Sequence, residues 1–150
     1  MDNINIRRLN LISPIYYEPL EKADPFDYRA ENGETIFCFE LNESQRLSFE
    51  PDKNTLLGAL VFSGKAAGDC STKNYSKEAK TEKTFLELPG GLYLFAQKRE
   101  LLKRDEIIAM AFEIQAEGLW QRLKLGERLY LRYLFEDGSV VTQLFRPYTD

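Results

Sequence analysis

Glu40 is a candidate for a general acid or base in this sequence. It lies in the strongly apolar run 35–41, where an inward-facing glutamate would be an expensive buried acid. Buried acids often have a functional role, because burial brings their pKa closer to the range that suits a general acid or base. The alternative is a Glu40 that faces water, and Glu87 is a weaker candidate of the same kind.

Nucleophilic and metal chemistry is restricted, because the 150-residue sequence contains no histidine. This removes Ser–His and Cys–His nucleophile pairs and every metal site that includes histidine. Of the two cysteines, Cys70 is remote and Cys38 lies between two phenylalanines, which favours a buried, unreactive thiol. We therefore predict reduced, unpaired thiols, no cofactor and no metal site, and the sequence identifies no catalytic residue.

Two glycine-containing segments lack the features of phosphate sites. Residues 63–68 contain a Gly-Lys pair, but the first glycine of the phosphate-loop motif is missing and alanine follows the lysine. The Pro-Gly-Gly sequence at 89–91 precedes a predicted strand, whereas phosphate groups bind at the start of helices. We interpret the first segment as part of a surface loop and the second as a turn.

Composition and charge indicate one soluble domain, 1–150. Hydrophobic residues make up 43% and charged residues 29% of the chain, which is ordinary for a globular protein. The net charge of −4 does not suit nucleic-acid binding, which usually depends on a basic surface. No apolar run approaches the roughly 20 residues of a membrane span, and the start of the sequence does not resemble a signal peptide. We expect a cytoplasmic protein with no nucleic-acid or membrane partner.

Aromatic residues make up 13% of the chain and concentrate on predicted strands and at the end of a predicted helix. They can serve as core packing alone. Several of them near one acid can instead form a pocket for an amphipathic or cationic molecule, and both interpretations stay open. The candidate ligand-binding residues are Tyr17, Glu40, Tyr93, Phe95, Trp120, Tyr130 and Tyr133.

The second half of the chain, residues 84–148, predicts one strand–helix–strand–strand unit. Apolar residues at helical spacing predict the helix, and Gly118 is well placed to end it. Trp120 falls outside the apolar arc, so we expect it to pack against another part of the protein. An Asp-Gly pair predicts a tight hairpin between the last two strands. The predicted elements are a strand over 92–97, a helix over 103–117, a strand over 128–135 and a strand over 140–146.

The first half is less regular. An opening strand is predicted up to Tyr17, with a bend at Ser13-Pro14 because proline disrupts strand pairing. Residues 34–41 fit both a strand and one face of a helix, and period alone does not separate the two for so short a run. The other predicted segments are a loop over 18–34, a strand over 56–63 and a loop over 64–83.

The run 85–95 (FLELPGGLYLF) is a small-residue turn followed by a tyrosine-containing strand, and it resembles that element of the GyrI-like effector-binding domains. Residues 143–147 resemble the closing strand of the same family, which often ends in proline. The resemblance implies an α+β fold of two strand–helix–strand–strand modules that share an antiparallel sheet, with a ligand cleft between them. It implies modules at approximately 1–64 and 84–148, joined by a loop over 65–83.

The same resemblance implies a helix within residues 28–44, in conflict with the alternation over 34–41. It also implies a stand-alone binder of small hydrophobic or cationic molecules, because no DNA-binding helix-turn-helix precedes the domain. Two alternatives stay open: a glutamate- and tyrosine-dependent hydrolase of a reactive small molecule, and a protein-interaction module of the gyrase-inhibitor kind. The implied partners are an aromatic or cationic ligand and, for the last hypothesis, a transcription or gyrase partner.

Overall fold

The structure is a computed structural model that describes residues 5–20, 24–26, 33–41, 59–66 and 86–149. Strands contain 59% of these described residues and helix contains 17%. The predicted α+β fold, with two strand–helix–strand–strand modules and a cleft between them, is therefore wrong. The described residues form a mainly antiparallel sheet that curls into a half-barrel and carries one helix.

Nine strands and one helix make up the described part of the chain. The helix lies between the sixth and seventh strands. The elements are β1 (Arg7–Leu11), β2 (Ile15–Pro19), β3 (Gly33–Glu40), β4 (Ala59–Ala66), β5 (Leu86–Leu88), β6 (Gly91–Lys98), α1 (Arg104–Trp120), β7 (Lys124–Leu125), β8 (Arg128–Glu136) and β9 (Ser139–Thr149).

The hydrogen-bonded order of the strands is β1-β6-β9-β8-β3-β4-β2-β5, and β7 pairs with β9. Residues 12–14 join β1, one end strand of this path, to β2, which is next to the other end strand, β5. Within this segment β1 pairs with β6, and β2 pairs with both β5 and β4. A sheet whose two ends are connected by so short a segment must curl, and the half-barrel is the result.

Strand pairing is interrupted where the chain passes from β1 to β2. Residues 12–14 join β1 to β2, whereas only two residues, Pro89 and Gly90, lie opposite this three-residue segment, between β5 and β6. The unequal count bends the paired strands and increases their twist. Glycine suits position 90, because a Cβ there would make a tight contact, 3.1 Å, with the Leu11 carbonyl oxygen. The bend predicted at Ser13-Pro14 is confirmed.

Alternate residues of the sheet belong to two separate hydrophobic clusters. One face packs against α1, and we call it the helix face; Phe37 and Phe39 of β3 point towards it. Ile36 and Cys38 of the same strand belong to the opposite face. We call this opposite face the tyrosine face, because its cluster contains three buried tyrosines, Tyr17, Tyr93 and Tyr130.

The first-half helix implied by the resemblance is wrong over the part of 28–44 that the structure describes. This part forms β3, which pairs with β8 on one side and β4 on the other. Both faces of the strand are buried, so apolar residues occur at strand and helix spacings alike. Of the strand predicted over 56–63, the described residues 59–63 belong to β4. The start of the loop predicted over 65–83 is wrong, because β4 continues to Ala66, and the rest of that loop lies outside the described residues.

The predicted order of strand, helix, strand and strand in the second half is observed as β6, α1, β8 and β9. Asp137 and Gly138 both have positive φ, 45° and 83°, in the turn between β8 and β9, so the Asp-Gly hairpin is confirmed. These elements do not form a module of their own, because β8 pairs with β3 as well as with β9.

Gly118 lies inside α1, so the predicted end of the helix at this residue is wrong. A Cβ at position 118 would approach Leu125 Cδ2 to 2.5 Å and Leu94 Cδ1 to 3.0 Å. The absence of a side chain therefore permits close packing between the helix, β6 and β7. A contact with residues distant in the sequence, rather than helix termination, accounts for this glycine.

Arg122 follows α1 in the left-handed conformation, with a φ of 61°. Its amide donates to the Leu119 carbonyl and the Leu123 amide donates to the Gly118 carbonyl, which are the paired hydrogen bonds of a Schellman motif. Glycine takes this φ without steric cost, so Arg122→Gly is expected to raise the free energy of unfolding by about 0.5–1 kcal/mol. Urea unfolding measures the change. Arg99→Gly, at an exposed position outside the left-handed region, is the control, and a loss of stability in Arg122→Gly would contradict the expectation.

Candidate functional site

The tyrosine face of the sheet carries a packed group of aromatic rings. Tyr93 lies edge to face with Tyr130, with ring centres 6.2 Å apart, and with Phe145, at 5.8 Å. Phe95 packs on Phe145 at 4.9 Å. These rings come from the neighbouring strands β6, β9 and β8, so strand register fixes their contacts. The result is an aromatic wall that backbone pairing holds in place.

A cavity of about 450 Å³ lies where this wall reaches the start of β6, the start of β8 and the end of β9. Its size is within the range of sites for small molecules. Much of the lining is apolar or aromatic, and it includes two charged residues. The lining residues are Pro89, Gly90, Gly91, Leu92, Tyr93, Glu127, Arg128, Tyr130, Pro147, Tyr148 and Thr149.

Tyr93 is a buried residue of this lining, and its hydroxyl donates a hydrogen bond to the Pro89 carbonyl oxygen. Burial is the main cause that raises the pKa of Tyr93 above the ordinary tyrosine value, and Tyr130 and Glu87 act in the same direction. The phenol is therefore neutral at physiological pH. Because Pro89 belongs to the bend between β5 and β6, the same bend that curls the sheet also positions this ring.

A chain of polar groups runs from the cavity into the sheet. Arg128, Tyr130 and Cys38 follow one another from the cavity inward, and each acts electrostatically on the next. Burial is the largest cause that raises the pKa of Tyr130 to about 12. Burial lowers the pKa of Arg128, but Cys38 and Tyr130 oppose it and the net direction is upward. At neutral pH the chain therefore has a fixed positive charge at the cavity and neutral groups behind it.

Cys38 is a free thiol with 0% exposure. Burial is the largest cause that raises its pKa to about 11, so the thiolate needed for nucleophilic attack is scarce at neutral pH. The predicted burial of the Cys38 thiol is confirmed, and Cys70 lies outside the described residues.

A second polar cluster lies on the tyrosine face, further along β8. The Tyr17 hydroxyl donates to Glu34 Oε2 at 3.2 Å, and Arg132 Nη2 lies 3.3 Å from Glu34 Oε1. The Arg132 guanidinium also lies over the Phe145 ring, 5.8 Å from its centre. Burial raises the pKa of Tyr17 above its usual range, with Arg132 opposing this and Glu34 adding to it. Tyr17 is therefore a protonated donor within an ion-pair cluster.

In this second cluster, the polar atoms that lack hydrogen-bond partners are not accessible to a ligand. Arg132 Nε and Gln143 Oε1 are shielded from solvent and have no hydrogen-bond partner among the described residues. The two residues are opposite each other on β8 and β9, and Gln143 Nε2 donates to Gln97 Oε1 at 2.8 Å. A ligand contacts only atoms with accessible surface. We therefore interpret this cluster as structural and locate the candidate site at the cavity.

Two of the seven predicted ligand-binding residues, Tyr93 and Tyr130, line the cavity. Tyr17 and Phe95 lie on the same face but outside the lining. Tyr133 is on the helix face, where its hydroxyl donates to a backbone carbonyl oxygen 2.7 Å away. Tyr130 and Tyr133 are separated because residues three apart on a strand point to opposite faces.

Glu40 and Trp120 lie outside the cavity lining. Glu40 is exposed at the end of β3, opposite Arg128 in register, so the water-facing alternative is the one observed. Glu87 is exposed as well. Trp120 is the last residue of α1 and is 79% exposed, so the packing against another part of the protein that we expected for it is wrong.

Sequence reasoning missed nine of the eleven lining residues, and Arg128 is the half-buried charged residue among them. The sequence did indicate that Arg128 shares a face with the predicted site residue Tyr130, because side chains alternate along the strand predicted over 128–135. An arginine at the first residue of a strand is nevertheless usually a surface residue. The cavity arises only when Tyr93 and Pro147, from two other strands, are brought beside it.

The described residues offer no metal site as an alternative. No group of three or more cysteine, aspartate or glutamate side chains among them is arranged to hold a metal ion. Within the same residues, no helix has the length and apolarity needed to cross a membrane.

No known protein-family model matches the sequence, and no curated protein matches it either. Membership of the GyrI-like family therefore stays a prediction, and the two-module fold that it implies is not the fold observed. The geometry of the cavity is the remaining basis for a functional assignment.

Proposed function

We propose that this protein binds a small apolar or aromatic molecule in the cavity between β6, β8 and β9. The observation that carries the proposal is the lining itself: two buried neutral tyrosines, Tyr93 and Tyr130, and one arginine, Arg128, border a single space of about 450 Å³. Strand register holds the two rings edge to face. A contact surface that exists before the ligand arrives reduces the entropy lost on binding.

Binding is favoured over hydrolysis and over a protein-interaction role. A glutamate-dependent hydrolase needs an acid beside the tyrosines, and both predicted candidates, Glu40 and Glu87, are exposed. A gyrase or transcription partner would be favoured by a continuous apolar patch without a cavity. Among the residues that the structure describes, the exposed large apolar side chains lie at three separate places in the chain and are Ile12, Leu60, Val61 and Trp120. The binding proposal keeps the cytoplasmic localisation predicted from the sequence.

A thermal-shift screen of aromatic and apolar compounds near neutral pH tests this proposal. A ligand at 100 times its Kd stabilises the folded state by about 2.7 kcal/mol. For a domain of this size, that corresponds to a rise in Tm of about 5–10 °C. A diverse library that gives no rise in Tm at millimolar concentration would contradict small-molecule binding.

Filling the cavity is expected to abolish the ligand-induced rise in Tm. Thr149→Trp introduces a large side chain at the exposed edge of the lining, where it occupies the ligand's space with little effect on the core. Trp120→Ala is the matched control, because it removes an exposed ring outside the lining and should leave the rise unchanged. A rise retained in Thr149→Trp, or lost in Trp120→Ala, would place the ligand elsewhere.

A further inference from the structure

Arg128 distinguishes the cavity from a purely apolar pocket. It is half-buried at the first residue of β8 and lies on the same side of the strand as Tyr130. Glu127, the other charged residue of the lining, is exposed and precedes the strand. Water and salt screen an exposed carboxylate more effectively than a half-buried guanidinium, so Arg128 is the charged group of the lining whose attraction for a ligand is screened less.

The guanidinium of Arg128 retains donors for a ligand. An arginine has five N–H donors, and the described groups that act on Arg128 are Cys38, Tyr130 and Glu40. Glu40, opposite Arg128 on β3, acts on it by long-range attraction and makes no ion pair with it within 4.0 Å. The remaining N–H groups form a planar fork that matches the two oxygens of a carboxylate.

We propose that the cavity selects an anionic ligand, a carboxylate on an apolar or aromatic body, with the carboxylate on Arg128 and the body against Tyr93 and Tyr130. This inference rests on the proposed binding function and adds the charge of the ligand to it. It differs from the cationic ligand predicted from the sequence, because a cation in this cavity would be placed against the guanidinium. Leu92 and Pro147 supply further apolar surface for the body of the ligand.

Three probes with one ring system and different charges test the assignment: 2-naphthoate, 2-naphthamide and 2-naphthylmethylamine. Isothermal titration calorimetry with the full chain near neutral pH gives their Kd values. We expect the naphthoate to bind about 10-fold more tightly than the amide, since charged hydrogen-bond pairs are stronger than neutral ones. The amine is expected to bind most weakly. High salt should weaken the naphthoate selectively.

Replacing Arg128 provides the second arm of the test. Arg128→Met keeps the length of the side chain without its charge, and the naphthoate affinity is expected to fall about 10- to 100-fold. Arg128→Lys keeps the charge without the planar fork and should give an intermediate loss. Arg99→Met, an exposed position beyond the other end of β6, is the control and should bind the naphthoate normally. If Arg128→Met does not fold, Arg128→Lys and the three probes on the wild-type chain decide the question.

The outcomes separate the anion assignment from the binding function. Equal affinity for the three probes, or unchanged naphthoate binding in Arg128→Met, would overturn the assignment and leave the binding function intact. The same holds if no probe binds and the thermal-shift screen finds neutral or cationic ligands. Anionic compounds from the screen whose binding is lost in Arg128→Met would support the assignment. A screen without any ligand would overturn both proposals.

Discussion

Alkaline pH is expected to unfold this protein cooperatively between about pH 10 and 12. Burial raises the pKa of Cys38 from 9.0 to about 11 and that of Tyr130 from 10.0 to about 12. It shifts the pKa of Tyr17, Tyr93 and Tyr133 in the same direction. A group with a higher pKa in the folded state stabilises the fold below its unfolded pKa. That stabilisation is lost as the pH rises through the folded pKa.

The expected loss is comparable to the whole stability of a domain of this size. One unit of pKa difference between the folded and unfolded states corresponds to about 1.4 kcal/mol. Cys38 and Tyr130 together therefore contribute on the order of 5 kcal/mol at neutral pH. The net stability of a folded protein is about 5–15 kcal/mol, so ionising these two groups removes much of it.

Parallel titrations by tyrosinate absorbance and far-UV circular dichroism measure this transition. The buried tyrosines are expected to ionise together with the loss of the circular dichroism signal. Tyr130→Phe removes one titrating group and should flatten the dependence of the free energy of unfolding on pH above about 10. Gradual ionisation of all eight tyrosines near pH 10, with the circular dichroism signal intact, would contradict a closed tyrosine face.

The second large effect is expected from Gln115→Leu on the helix face. Arg146 of β9 is 1% exposed; its Nη1 donates to Gln115 Oε1 at 2.9 Å and its Nε donates to the Gly126 carbonyl at 2.9 Å. Leucine removes the acceptor and leaves the buried guanidinium in place. We expect the free energy of unfolding to fall by about 2–4 kcal/mol, because a buried charge that loses a hydrogen-bond acceptor is costly. Urea unfolding measures the loss.

A double variant separates the lost hydrogen bond from a general packing defect. Gln115→Leu combined with Arg146→Met removes the buried charge as well, so the double variant is expected to be more stable than Gln115→Leu alone. Gln121→Leu, the same substitution at the exposed end of α1, should cost less than about 1 kcal/mol. A double variant less stable than the single variant would show that Arg146 stabilises the fold mainly through its other contacts.

Local patterning accounts for the elements that were predicted correctly. The strands β6 and β8, the helix and the hairpin before β9 all depend on spacing between residues that are close in the sequence. The end of the helix was misplaced because Gly118 is a stop signal by sequence alone. In the fold, Gly118 instead allows close contact with Leu94, which is distant along the chain, and with Leu125, which follows the helix.

The pairing of the sheet could not be predicted from the sequence. The central strand β3 pairs with β8, and its hydrogen bonds join residues that are far apart in the chain. Because both faces of β3 are buried, the strand lacks the alternation of apolar and polar residues that identifies a half-exposed strand. Residues 34–41 were therefore ambiguous, and the resemblance favoured a helix there.

The sequence by itself determined which chemistry is available to this protein: it has no histidine, Cys38 has an apolar setting, and tyrosines are abundant. It also determined, through alternation, which residues of one strand share a face. Only the tertiary structure decided that Tyr93 and Tyr130 border a cavity with Arg128. The physical reason is that strand register and the curl of the sheet set the distances between side chains on different strands, and both depend on pairing between distant parts of the chain.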